Sequence, residues 1–232
     1  MRPDLIIFDC DGVLVDSEII AARVEADMIT EAGFPISAEE MIERFAGLTT
    51  RDILMRLETV SQVPFQASLI DRIKVELDKR LARDVKAIDG AAQSVAAVRG
   101  AQLPYCICSN SPLDRIEAML GRVGMLPLFD KQRIHSAREI PSKRTKPAPD
   151  VFLHGAAQMA ADPAKCFVVE DSVHGITGAK AAGMRVIGFT GASHTWPGHA
   201  DALTEAGAET VISRWSDFAA VVAALSEWSA DA

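Results

Sequence analysis

Four apolar residues, Leu5-Ile6-Ile7-Phe8, run straight into two carboxylates one residue apart, Asp9 and Asp11, and then into Gly12. A short continuous apolar run bounded by a turn signal suits a strand buried on both faces, as in a parallel sheet covered by helices. The C-terminal end of such a strand is where open α/β sheets hold their ligands, so Asp9 and Asp11 are expected at that edge. Extended backbone points both side chains to one side, and Gly12 lets the chain turn sharply afterwards. Two carboxylates that close repel each other unless a cation lies between them or one is protonated. A plain strand with an Asp-Gly turn is the alternative, and the rest of the chain has to separate the two.

Downstream the same pattern returns. Tyr105-Cys106-Ile107-Cys108 is a strand that ends in Ser109-Asn110-Ser111-Pro112, and Cys166-Phe167-Val168-Val169 is a strand that ends in Glu170-Asp171. Residues 185–189 and 210–212 read as further strands, and residues 129–134 as a weak edge strand. Helices fall between them. Asp89 caps one that runs to about Arg99, a second follows Pro112 to Gly124, and a third runs from Asp150 to about Ala160. A fourth runs from Ser172 to Ala182 with Gly183 as its cap, and Ser216 or Asp217 starts a terminal one. Strands alternating with helices of this length mean βαβ units joined by right-handed crossovers, hence a Rossmann-like α/β fold with a parallel sheet and helices on both faces.

One stretch breaks the alternation. From Ser17 to about Arg83 there is no convincing strand. Ser17 is placed to cap a helix from Glu18 to about Ala32, which Gly33 and Pro35 close. Ser37 with Glu40 reads as a capping box. Gly47-Leu48-Thr49-Thr50 interrupts, Thr49 or Thr50 caps the next helix, and Pro64 marks another break. Leu69, Ile70, Ile73, Leu77 and Leu81 then recur at helical spacing. The block is too large for a loop and is expected to be an inserted helical domain, residues 17–86, in a core of residues 1–16 and 87–232. The hinges are expected at Val15-Asp16 and Ala87–Asp89.

At 232 residues the chain is long enough for a core domain carrying an insertion. A net charge of −8 argues against nucleic acid as a partner, because phosphate backbones are bound by basic surfaces. No apolar stretch approaches membrane-spanning length, and the N-terminal run is too short and ends in acids, unlike a signal peptide. Cys10, Cys106, Cys108 and Cys166 sit in or beside the apolar strands without zinc-site spacing. They read as reduced core residues of a cytoplasmic protein.

Asp9-Asp11, Ser109-Asn110 and Glu170-Asp171 each close a different strand, and a parallel sheet gathers those ends at one edge. Four acids meeting there would destabilise the fold on their own. Carboxylates together with a substrate phosphate are what Mg²⁺ takes as ligands, so the acids predict a hard cation and the cation predicts a phosphate. Taken singly, each feature has an ordinary reading: Ser109 as a helix cap, and Lys146, beside Lys143 and Arg144, as a solvated loop charge. The segment His194-Thr195-Trp196-Pro197-Gly198-His199 lacks a third ligand and reads as a loop, and His174 as a helix-surface residue.

Together, in order and over essentially the whole chain, the segments resemble the four motifs of the haloacid dehalogenase superfamily. Asp9-Cys10-Asp11-Gly12-Val13-Leu14-Val15-Asp16-Ser17-Glu18 resembles the first motif of its β-phosphoglucomutase-like and phosphoglycolate phosphatase-like branch. Ser109, Lys146 and Glu170-Asp171 match the second, third and fourth, and the helical insert resembles that branch's small cap domain. The resemblance implies Asp9 as nucleophile, forming an aspartyl-phosphate, and Asp11 as acid and then base. It implies Mg²⁺ on Asp9, the Asp11 backbone carbonyl and Asp171, with Glu170 as a ligand or as holder of a metal-bound water. Ser109 and the Asn110 amide would hold phosphate oxygens, and Lys146 would neutralise charge at the nucleophile. Mutases of this branch carry a cap histidine where this chain has Ala21, and Arg51 stands one step late in the cap loop. A phosphatase of a small phosphorylated metabolite is therefore expected, acting on a sugar or sugar-acid phosphate such as 6-phosphogluconate or phosphoglycolate. A phosphosugar mutase and a non-catalytic phosphate-responsive protein are the alternatives. Arg51 and Arg44 are candidates for gripping the substrate, and the protein is expected to be a monomer or a weak homo-oligomer.

Overall fold

The computed structural model describes residues 2–45, 48–61 and 64–228. Among these residues six strands form one parallel sheet: β1 (Leu5–Phe8), β2 (Tyr105–Ser109), β3 (Ile134–Ser136), β4 (Cys166–Glu170), β5 (Arg185–Phe189) and β6 (Thr210–Ile212). Their order is β3-β2-β1-β4-β5-β6, so the winding reverses direction between β1 and β4. That is the point at which an open α/β sheet leaves a crevice. Register puts Phe8 beside both Ile107 and Val169, which brings Asp9, Ser109 and Glu170 out at the same edge.

The apolar run of β1 is completely buried because it faces two cores at once. Ile6 and Phe8 belong to one cluster and Leu5 and Ile7 to the other, as strand alternation requires. Helices α5 (Ala91–Gly100), α6 (Leu113–Arg122) and α10 (Phe218–Trp228) cover the first face. Helices α7 (Asp150–Gln158), α8 (Val173–Ala181) and α9 (His199–Glu205) cover the second.

Between β1 and α5 the described residues form helices only: α1 (Glu18–Glu31), α2 (Ala38–Phe45), α3 (Thr50–Ser61) and α4 (Ser68–Asp84). Helix α4 buries Leu69, Ile73, Leu77 and Leu81, the row that its sequence spacing picks out, while Ile70 is partly buried. Ser37 and Glu40 exchange the two capping-box bonds, at 3.1 and 3.0 Å, and Thr49 Oγ1 accepts the Asp52 N–H at the start of α3. Gly47, expected in the interruption before α3, lies outside the described residues. The chain enters and leaves this helical block through two adjacent strands of backbone: the Asp16 N–H donates to Lys86 O and the Ile88 N–H to Leu14 O.

Four local expectations are corrected. Ser17 does not cap α1, because its hydroxyl is committed to Asp11. Asp89 does not cap α5; Gly90 holds that position at φ +81°, and any Cβ there would come within 2.9 Å of the Trp215 side chain. Residues 129–134 are not a strand: Lys131–Arg133 is a 3-10 turn, and β3 begins only where Ile134 comes into register with Ile107. His199, read as the last residue of a loop, instead opens α9, a helix too short to show a sequence period.

Candidate active site

The centre of the site is an ammonium between two carboxylates. Lys146 Nζ lies 2.5 Å from Asp9 Oδ1 and 2.5 Å from Glu170 Oε1, with all three side chains buried. Lys146 reaches that position because its own N–H donates to the Asn110 carboxamide oxygen at 2.9 Å, which pins the loop from β3 to α7 against the end of β2. The carboxamide of Asn110 thus holds the lysine loop. The second carboxylate oxygen of Glu170 accepts from the Ser172 N–H and hydroxyl, at 3.1 and 3.0 Å. Ser172 Oγ in turn accepts the Gly175 N–H and so caps α8. Gly175 is required by this arrangement, since a Cβ there would sit 1.9 Å from Glu170 Oε1.

Asp171 completes the cluster. Oxygens of Asp9, Glu170 and Asp171 lie within 4.8 Å of one another. Its carboxylate is 3.0 Å from His194 Nε2, and its backbone carbonyl is 2.8 Å from His199 Nε2. Gly12, at φ +70°, leaves the space this needs, because a Cβ would stand 1.8 Å from Asp171 Oδ2 and 2.9 Å from His194 Cε1. Burial raises the Asp9 pKa well above the ordinary range even though Lys146 opposes it, and burial together with Glu170 raises that of Asp171. For Lys146, burial pulls the pKa down, but Asp9 and Glu170 outweigh it and the ammonium is held more firmly than in water.

When all are ionised, three carboxylates against one ammonium leave two negative charges in a buried space, which is what raises the pKa values in the absence of a cation. One divalent cation balances those charges, and an all-oxygen donor set suits a hard ion. The residues present therefore fit Mg²⁺.

Asp11 stands apart from this cluster and is held by three hydroxyls. Ser17 donates to Oδ1 at 2.8 Å, while Ser109 and Ser111 donate to Oδ2 at 3.1 and 2.8 Å. Above it, α1 presents Glu18, whose pKa is pushed up to about 8 by burial and then by Asp11 and Asp171. Two turns on, Glu25 accepts from the Thr50 hydroxyl at 2.6 Å, and Arg115 of α6 pairs with Asp78 of α4 at 2.7 Å. Arg51 and Arg44 are both exposed; Arg44 lies over the Phe45 ring, and among the described residues no ion pair joins Arg51 to the acids. His174 is partly buried in the first turn of α8.

The sequence-predicted Asp9, Asp11, Ser109, Asn110, Lys146, Glu170 and Asp171 thus share one sheet edge. Sequence reasoning gave no site role to Ser17, Ser111, Glu18, His194 or His199, although Ser17 and Glu18 stand in the first motif, Ser111 follows a strand end, and the histidines flank Trp196-Pro197-Gly198 as a pair.

A sequence profile described as haloacid dehalogenase-like hydrolase matches residues 6–189. The chain belongs to the haloacid dehalogenase-like hydrolase family. This hydrolase is 30% identical over 197 residues to 6-phosphogluconate phosphatase of Escherichia coli, covering 84% of this chain and 86% of the relative. It is 32% identical over 184 residues to hexitol phosphatase B of the same species, covering 78% and 81%. A crystal structure of a haloacid dehalogenase-like protein of unknown function from Agrobacterium tumefaciens is 59% identical, with a TM-score of 0.90 over 96% of this chain and 99% of that one.

Proposed function

We propose that this hydrolase is a Mg²⁺-dependent phosphatase that cleaves the phosphate monoester of a sugar or sugar acid through an aspartyl-phosphate on Asp9. The observation that carries the reading is the placement of Asp9 and Asp11. One lies buried against an ammonium and two further carboxylates, and the other, two residues on, is held outside that cluster by hydroxyls. A site that only bound phosphate would have no use for the second acid.

In the proposed reaction an Asp9 oxygen attacks phosphorus as the ester P–O bond breaks, and Asp11 gives its proton to the departing alkoxide. Asp11 then takes a proton from water as that water attacks the aspartyl-phosphate. Inorganic phosphate leaves and Asp9 is regenerated. Lys146 offsets charge on Asp9 and the phosphoryl oxygens, and Ser109 and the Asn110 N–H hold phosphate oxygens. When bound, Mg²⁺ would be held by Asp9, Glu170 and Asp171 and would neutralise charge on the transferred phosphoryl group.

Residues 17–86 act as the cap, turning on the paired connections at 15–16 and 86–88. The cap carries Glu18, Glu25 and Thr50, hydrogen-bonding groups suited to the hydroxyls of a polyol chain. Relatives named for a hexitol phosphate and for 6-phosphogluconate support that class. Ala21, partly buried on the same helix, offers no proton-transfer group of the kind a mutase uses.

Phosphate release from a panel of sugar, sugar-acid and alditol phosphates tests this, with and without Mg²⁺, for wild type and Asp9→Asn. Mg²⁺-dependent release that vanishes in Asp9→Asn is expected. Isomerisation of a hexose phosphate without release would overturn it.

A further inference from the structure

The two histidines of the 194–199 segment close on a single residue. His194 Nε2 meets the Asp171 carboxylate at 3.0 Å, and His199 Nε2 meets the Asp171 backbone carbonyl at 2.8 Å. The carbonyl has no hydrogen, and the carboxylate in its cation-binding form has none, so each imidazole is placed to donate through Nε2, and among the described residues neither buried Nδ1 has a hydrogen-bond partner. A residue gripped at both its side chain and its peptide has little freedom to turn.

The loop that carries the histidines is itself fixed. Trp196 stacks on His199 with ring centroids 3.8 Å apart, and the His199 N–H donates to Trp196 O. The Ser193 N–H and hydroxyl both donate to Asp16 in the first hinge. His194 packs over Gly12, where only a hydrogen fits. Its ring nitrogen is not part of the ligand group that gathers within 4.8 Å, which among the described residues is made of carboxylate oxygens of Asp9, Glu170 and Asp171.

We infer that the 193–199 loop is a clamp on Asp171, and that His194 is a positioning residue which fixes the Asp171 carboxylate for the cation without touching the cation itself. This rests on the cation site proposed above. A carboxylate in a cluster of like charges turns away from its neighbours unless something holds it. A neutral N–H donor does so without adding positive charge that would compete with the metal. Removal of such outer partners commonly lowers metal affinity about 10- to 100-fold.

The test is Mg²⁺ binding without substrate, by calorimetry, for wild type, His194→Asn and His194→Gln. Gln places a donor near the Nε2 position and Asn falls short, while both are polar and similar in bulk. Binding is expected to weaken about 10- to 100-fold in His194→Asn and to recover in His194→Gln, the Mg²⁺ concentration for half-maximal turnover moving by the same factor with kcat at saturation near wild type. Wild-type affinity in His194→Asn, or equal weakening in both variants, would overturn the inference. In the wild-type protein, nitrogen-15 spectra of the imidazoles are expected to show Nε2–H forms for His194 and His199 that shift on adding Mg²⁺, while those of His135 and His154 stay fixed. If both variants fail to fold, unmoved His194 signals during a titration that does bind Mg²⁺ would overturn it as well. Absence of any Mg²⁺ binding to wild type would instead remove the cation site on which it rests.

Discussion

Lys146→Met is the substitution whose cost the structure fixes most directly. The ammonium is buried between Asp9 and Glu170, and the thioether that replaces it fills similar space next to Phe152 but carries no charge. Three buried carboxylates then face one another, and the protein escapes by protonating one. Relative to an ordinary aspartate value of 3.8, that protonation costs about 1.36 kcal/mol per pH unit, which caps the loss at about 4 kcal/mol at pH 7 and about 1.6 kcal/mol at pH 5. The range expected for removing one partner of a buried pair is about 3–5 kcal/mol, in line with the neutral-pH figure. The lysine itself adds no pH dependence here: its pKa is raised, so its contribution is complete at all pH values below the unfolded value and is lost only above it. Thermal unfolding in EDTA should therefore show Lys146→Met melting roughly 8–16 °C below wild type at pH 7, with a gap less than half as large at pH 5. Saturating Mg²⁺ should narrow the gap at pH 7. An equal gap at both pH values would refute the reasoning, since it would mean that the lysine acts through packing.

Glu18→Gln should stabilise the metal-free protein at high pH only: a carboxyl raised to about 8 from an unfolded value of 4.5 favours the fold fully below 4.5 and loses that advantage as pH rises towards 8. Melting curves at pH 4.5 and pH 8.5 read the difference, and a benefit at both would contradict it. Gly175→Ala, whose methyl would press on Glu170, should cost about 1–3 kcal/mol and reduce turnover. Gly121→Ala in α6, where an added Cβ meets no other described residue within 4 Å, should be neutral or stabilising by up to about 1 kcal/mol by denaturant titration. Because burial holds Asp9 and Asp171 above the ordinary carboxylate range, Mg²⁺ binding should release protons and tighten as pH rises. Calorimetry in two buffers of different ionisation enthalpy would show this as different apparent heats, and identical heats would count against it.

The sheet and the acid cluster were legible because each rests on a short apolar run that can be buried in only one way. Leu5–Phe8, Tyr105–Cys108 and Cys166–Val169 had to be interior strands, and parallel pairing then carried the polar residues after them to one edge. Hydroxyls and small loops were not legible for the opposite reason. Ser17 has the sequence of a cap, yet its hydroxyl crosses to Asp11, and nothing local distinguishes those two bonds. His194 and His199 read as an unfinished metal site because their partner, Asp171, lies on another strand end, 28 residues before His199. Residues 129–134 are apolar only at their two ends, Phe129 and Ile134, and the register of β2 sets where the edge strand begins.

A phosphorylated intermediate on Asp9 tests the central claim most directly. Asp11→Asn incubated with p-nitrophenyl phosphate and Mg²⁺, then quenched in acid and digested, separates the two steps. In the proposed reaction nitrophenolate departs without a proton, so Asp9 would still attack, whereas hydrolysis of the aspartyl-phosphate would need Asp11 to activate water. A phosphoryl adduct on the peptide carrying Asp9 is expected, absent from Asp9→Asn. An unmodified Asp9 in a variant that has released nitrophenolate, or an adduct on another residue, would contradict it.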